Sequence, residues 1–186
     1  MHKNEQWQEY AKSGAPLKNG GRPGNHSEEA EARTDLYGVS CVWLYRITNG
    51  SLEILFQRRS EYVDRYAGDW DISAAGHVNY EETPLSAAVR ETREEIGASL
   101  EEDDLIYVMT FNNGRRIANI YLCDYTSHPD EFRFDDKEVS EVKWVPLKDL
   151  DEFWHQKTKA PLAEDEIQYK IISKILTEIA DGNYQE

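Results

Sequence analysis

The stretch from Thr83 to Gly97 constrains the fold more than any other part of the sequence, because it carries its own start and stop signals. Leu85 to Ile96 has helical spacing, with Thr83 at the N-cap position, Pro84 at the first helical position and Gly97 just past the end. Leu85, Ala88, Val89, Thr92 and Ile96 form one stripe of this helix, suited to docking on a sheet. Glu91, Glu94 and Glu95 stand at i, i+3 and i+4 and share a different face. The helix is therefore anchored on one side and acidic on another.

Three neighbouring carboxylates repel one another by roughly a few tenths of a kcal/mol per exposed pair, so the cluster asks for a compensating charge. Arg90 and Arg93 supply part of it. One reading is a solvated acidic face closed by salt bridges within the helix. The other is a site for a hard dication, Mg²⁺ or Mn²⁺, which prefers oxygen ligands.

The whole chain is acidic: 36 Asp+Glu stand against 21 Lys+Arg, for a net charge of −15 and a pI of about 4.7. That field repels polyanions, so neither a nucleic acid polymer nor an anionic membrane is expected as a partner. An acidic protein acts on phosphates through something positive in between, which a carboxylate-bound dication provides. The mean hydropathy is −0.76, and no apolar run approaches the ~20 residues that span a bilayer. Residues Met1 to Gln6 lack the apolar core of a secretory signal. Cys41 and Cys123 lie in apolar runs and read as buried, reduced thiols. The expectation is a soluble, cytoplasmic protein.

With 186 residues the chain has room for one ordinary core. Residues 1–36 are polar and rich in turn residues and read as a mobile arm or an appended hairpin, expected to cover a site or to mediate a homodimer. The body, 37–186, opens with a β-hairpin, Gly38–Tyr45 and Leu52–Arg58, followed by a short strand at Asp71–Ala75. Beyond the helix come a second hairpin, Leu105–Phe111 with Ile117–Tyr125, and a strand at Val142–Val145. Leu147–Lys157 and Ala163–Ala180 read as helices, the second from Ile167, Ile171, Ile175 and Ile179. Strands with helices at intervals imply an α/β or α+β sandwich.

Gly76, Glu82, Arg90, Glu91, Glu94, Glu95 and Gly97 fit the spacing G-x5-E-x7-R-E-U-x-E-E-x-G-U, where U is a bulky aliphatic residue, and so the chain resembles the Nudix hydrolase family. Thr92 and Ala98 depart from it at core-facing positions. The resemblance implies an α/β/α sandwich with a mixed sheet and the family's loop-helix. It implies Glu91, Glu94 and Glu95 as metal ligands and as the source of the base, the Gly76 carbonyl as a further ligand, a Glu82–Arg90 pair that fixes the loop to the helix, and Gly97 in the left-handed turn that ends it. Glu138 is the preferred additional catalytic acid and Glu141 the second, each weighed against an ordinary solvated loop acid. Arg58 and Arg59 are candidate substrate-phosphate contacts, weighed against exposed strand-end arginines. Trp7, Tyr80 and Phe111 are candidates to stack on a base.

Residues Asp71 to Val78 lean toward the isopentenyl-diphosphate isomerase branch, in which a cysteine precedes a Gly-His pair. Ala75 stands in that place, and a methyl group cannot shuttle a proton. His77 is left as a substrate contact or an ordinary loop histidine. The expected activity is Mg²⁺- or Mn²⁺-dependent hydrolysis of a small-molecule diphosphate, a nucleoside diphosphate linked to another moiety or a related compound. The alternatives are an isomerase-like enzyme and a non-catalytic ligand-binding module on the same fold.

Overall fold

The computed structural model describes residues 5–18, 22–23, 36–135, 137–156 and 163–184. Three short strands come first, β1 (Gln6–Trp7), β2 (Glu9–Tyr10) and β3 (Arg22–Pro23). They precede the long strands β4 (Leu36–Thr48) and β5 (Ser51–Arg59), then β6 (Trp70–Asp71), β7 (Ala74–His77) and helix α1 (Pro84–Ile96). A 3-10 turn leads to β8 (Ile106–Asn112), β9 (Arg116–Asp124) and β10 (Val139–Pro146), and a second 3-10 turn to helices α2 (Leu150–Gln156) and α3 (Ala163–Ala180). Among the described residues no helix is long and apolar enough to cross a membrane.

The main sheet runs β10-β5-β4-β9-β8. Its centre is β4, whose near-continuous apolar sequence suits a strand covered on both faces. Val39, Cys41, Trp43 and Tyr45 project into one core, shared with Trp154, Tyr169, Ile172 and Leu176 of α2 and α3. Val42 and Leu44 project into the other, shared with Ala88 and Ile96 of α1. The β4–β9 pair is parallel and the remaining pairs are antiparallel, so the sheet is mixed and lies between helices.

The sheet splits near the middle of β4. Residues Tyr45–Thr48 pair with β5, whereas Val39–Val42 pair with β7. Past Ile54, β5 leaves β4 and its Gln57 and Arg58 pair with β6, while β10 runs along its other edge from Glu53 to Arg59. The Ser73 hydroxyl bridges the fork, accepting from Leu44 N at 2.8 Å and donating to Leu55 O at 2.7 Å. This use of a side chain accounts for the interruption of the strand expected at Asp71–Ala75, which forms as β6 and β7 on either side of Ile72 and Ser73.

Other boundaries also shift. The helix expected from Leu147 begins as a 3-10 turn, Leu147–Asp149, and becomes α-helical at Leu150; Lys157 lies outside the described residues. The helix at Ala163–Ala180 forms with those bounds. The described part of the first 36 residues packs on the body: β2 pairs with β4 through Glu9↔Tyr37 and Tyr10↔Leu36, and Trp7 and Tyr10 are buried. Both cysteines are free and buried, and burial pushes each thiol up to about 12.

Candidate active site

α1 begins as its sequence predicts. Thr83 accepts from Ser86 N at 3.1 Å, and the Ser86 side chain returns a bond to the Thr83 backbone. At the other end Gly97 adopts φ +71° and its N–H donates to Arg93 O, a conformation that favours glycine. The expected apolar stripe docks on the sheet, with Ala88, Thr92 and Ile96 buried and Leu85 and Val89 half-buried against the core, but the buried face extends to Ala87 and Glu95. The reason is that Glu95 finds two donors at the fork of the sheet. Its Oε2 accepts from Ala75 N at 3.0 Å and from Gln57 Nε2 at 2.9 Å, and only 4% of the residue is exposed.

The acids therefore do not share one solvated face. Glu94 is a third exposed, Glu91 is mostly covered, and Glu95 is buried. Glu91 lies so close to the loop backbone that a Cβ placed on Gly76 would fall 1.9 Å from its carboxyl carbon, so any side chain there displaces the Glu91 carboxylate. Thr92, one of the departures from the family pattern, is fully buried with its hydroxyl donated to Ala88 O, and Ala98 is also buried.

Arg90 ties the loop to the helix. Its Nε and Nη2 donate to the two oxygens of Glu82, each at 2.9 Å, a bidentate pair. Nη2 also donates to His77 O at 2.8 Å, while Nη1 donates to Glu91 Oε1 at 2.8 Å and Glu94 Oε2 at 3.0 Å. Glu82 accepts in addition from Asn79 N at 2.9 Å. One guanidinium thus serves three carboxylates and a carbonyl.

Burial pushes the Glu91 carboxyl up to about 7, opposed by Arg90 and reinforced by the charges of Glu94 and Glu5. Burial also raises Glu95 well above the ordinary range, and the Glu91 charge adds to it; the Ala75 N–H, Arg59 and Gln57 oppose the rise. Both groups ask for more positive charge than the chain provides.

Arg59 contributes to the field at Glu95, and its Nε donates to Arg65 O at 3.1 Å. Arg58 is turned to Glu141, at 2.9 Å, and to Gly68 O. Glu138 precedes β10 beside the end of β5, its carbonyl accepting from Ser60 N at 2.8 Å. The imidazole of His77 lies under the Trp7 indole, ring centroids 3.5 Å apart and planes 2° apart. That contact, with 3% exposure, removes Trp7 from the candidate base-stacking residues. Tyr80 directs its hydroxyl to Lys18 O. Phe111 lines a small cleft with Met109, Arg116, Ala118, Ile120 and Gln168.

Two participants, Gln57 and Ser73, escape the sequence reading, and a third, Trp7, enters it only as a candidate to stack on a base. A polar residue inside the buried run of β5 is the one available signal for Gln57. Its Oε1 is buried with no hydrogen-bond partner among the described residues. Among the described residues no three acid, histidine or cysteine side chains are gathered closely enough to ligate one ion as they stand. The donor chemistry nonetheless fits a hard cation: two desolvated carboxylates, a third with freedom to swing, and an orphaned amide oxygen next to them.

A mixed sheet with an acidic helix on one face, clasped by arginine to a glycine-bearing loop, defines a Nudix fold. The NUDIX domain family matches residues 37–165, and the chain belongs to that family. The chain is 33% identical over 144 residues to Nudix hydrolase 3 of Arabidopsis thaliana, an alignment covering 70% of this chain and 18% of that protein. It is 30% identical over 107 residues to the isopentenyl-diphosphate Delta-isomerase of Dinoroseobacter shibae, covering 53% of this chain and 59% of that one. The chain thus spans less than two thirds of the length of either relative. In fold it is similar to DR0079 from Deinococcus radiodurans, with a TM-score of 0.62 at 18% identity, covering 97% of this chain and all of that one. Members of the family generally use divalent metal ions.

Proposed function

We propose that the protein is a Mg²⁺- or Mn²⁺-dependent pyrophosphohydrolase acting on an organic diphosphate, such as a nucleoside diphosphate linked to another moiety. One observation carries the reading: Glu91, mostly covered, lies beside the buried Glu95, and desolvation raises both although Arg90 pairs with Glu91. Glu91, Glu94 and Glu95 would hold the ion, with the Gly76 carbonyl as a further ligand. Glu94, the most exposed of the three, is the one free to exchange its bond to Arg90 for the ion.

When bound, such an ion neutralises phosphate oxygens and acidifies a coordinated water. The chain's own residues do the rest. Arg90 and Glu82 hold the loop at its distance from the helix. Glu91 or Glu94 takes the proton of the attacking water, with Glu138 the further candidate from the start of β10. Arg59, whose charge reaches the cluster, is the better placed of the two strand-end arginines to meet a substrate phosphate, since Arg58 is engaged by Glu141. His77 acts through its carbonyl on Arg90.

The test is hydrolysis of nucleoside diphosphate sugars, dinucleotides, nucleoside triphosphates and prenyl diphosphates, read by chromatography of the phosphorylated products, with Mg²⁺ and Mn²⁺, comparing wild type with Glu94→Gln. Ion-dependent turnover that Glu94→Gln abolishes without change in the circular dichroism spectrum is expected. Full activity in the variant overturns the role of Glu94. Conversion of isopentenyl to dimethylallyl diphosphate in place of hydrolysis overturns the reaction class.

A further inference from the structure

The N-terminal segment lies outside the family match, which starts at residue 37, yet it is built into the loop that carries the arginine clasp. Gln8 N donates to Val78 O at 2.8 Å, Tyr80 N donates to Gln6 O at 2.6 Å, and Trp7 bridges to Asn79. Gly38 N donates to Gln8 O at 3.2 Å and Val78 N to Gly38 O at 3.0 Å, so the segment, the loop and the start of β4 form one hydrogen-bonded unit. The Gln8 side chain accepts from Glu81 N at 3.3 Å and donates to Leu17 O at 2.9 Å. Residues 6–8 thus add a strand across residues 78–80. The Trp7 indole, stacked on His77 and tilted against Tyr37 at 5.4 Å, fills the space behind it.

From Trp7 a continuous line of contacts reaches the acids. The indole covers the His77 ring; the His77 carbonyl accepts from Arg90 Nη2; Arg90 Nη1 donates to Glu91 and Glu94. From this we infer that residues 6–8 are a clamp on the box loop and that Trp7 is a positioning residue, setting through His77 and Arg90 the placement of Glu91 and Glu94 for the cation. The inference rests on the cation reading above. Groups that orient metal ligands change metal affinity by about 10–100-fold when removed. A clamp that favours the ion is also favoured by it to the same factor, because coupling between two equilibria is reciprocal.

Mn²⁺ uptake by the full chain, followed by electron paramagnetic resonance of the free ion, tests this in wild type, Trp7→Phe, Trp7→Ala and Leu176→Ala. Leu176 is buried in the core on the far face of the sheet and controls for lost stability. Trp7→Ala is expected to weaken uptake about tenfold, while Trp7→Phe, which keeps a ring over His77, and Leu176→Ala stay within about twofold of wild type. Equal uptake by Trp7→Ala and wild type overturns the clamp, as does equal weakening by Leu176→Ala. A wild type that takes up no Mn²⁺ overturns the cation reading itself, so the two failures are distinguishable. If Trp7→Ala does not fold, hydrogen exchange in wild type decides: Mg²⁺ is expected to slow exchange of the Gln8 and Tyr80 amides about tenfold, and unchanged exchange overturns the clamp.

Discussion

The helices on the two faces of the sheet are held by opposite means. α3 presents Tyr169, Ile172 and Leu176 to a cluster built on Trp43, Phe56 and Trp154, with Trp154 and Tyr169 stacked at 4.6 Å. α1 buries two alanines, a threonine, an isoleucine and a glutamate. Small side chains let its backbone approach the sheet closely, but they remove little apolar area from water, at roughly 25 cal/mol per Å². Directional contacts place it instead: the capping box, the Arg90 clasp and the two donors on Glu95. Apolar packing on one face thus tolerates a face on which acids are brought together against their mutual repulsion. The α1 side has an apolar core of its own, Val42, Leu44, Leu55 and Ile96 among it, but it alone carries the acids, so substitutions at the acids and at α3 should separate function from stability.

The sharpest contrast is expected from Glu95→Gln. One glutamate oxygen receives both donors, so the amide oxygen of glutamine keeps both bonds while the buried charge and its repulsion with Glu91 disappear. Turnover should be abolished while the Tm of the metal-free protein at neutral pH rises. A fall in Tm would show that the buried carboxylate stabilises the fold. Arg90→Leu should damage both properties, because it leaves Glu82 and Glu91 half-buried without their partner. Breaking a fully buried pair from one side costs about 3–5 kcal/mol; with solvent still reaching these carboxylates the loss should fall below that range, measurable by urea unfolding. Leu176→Ala reverses the first pattern: a loss of about 2–5 kcal/mol, with activity per folded molecule unchanged. Loss of activity in that variant would erase the division between the faces.

Much of α1 is legible in the sequence because its determinants are local. Cap, proline, terminal glycine and the interval from Glu82 to Arg90 all lie within a few turns of one another. The burial of Glu95 is not, since hydrophobic patterning sends every carboxylate to water and cannot see that Ala75 N and Gln57 wait for Glu95 at the sheet. Ser73 escapes for a related reason: it replaces a missing rung between strands that only the folded sheet brings together. Trp7 sits among polar residues with no periodic partner, so the segment around it reads as an arm. Its burial comes from His77 and Tyr37, far along the chain. The two hairpins were visible from their turns. The fork in β4 was not, because a continuous apolar strand carries no mark of where its neighbour changes.

The smallest expected effect lies on the α1 side of the sheet but away from the acids, and shows whether charge matters there for reasons other than the site. The Trp144 indole N–H donates to Asp130 at 2.8 Å, and Arg46, which lies over the Trp144 ring, pairs with the same carboxylate at 2.6 Å. Burial opposes the charged form of Asp130, but the bonds from Trp144 and Arg46 outweigh it and hold the carboxyl below its ordinary value. A carboxyl lowered in the folded state contributes stability that is fully present above the unfolded pKa, roughly 3.9, and is lost as the pH falls through the folded value. The side chain is 56% exposed, so solvent screening limits the contribution to about a few tenths of a kcal/mol. Asp130→Asn should therefore lie slightly below wild type in Tm at pH 7, converge with it as the pH falls through the folded value, and leave ion uptake unchanged at every pH. A difference that persists in acid would assign the loss to the geometry of the Trp144 bond, and a change in ion uptake would extend the polar network of the site to this end of the sheet.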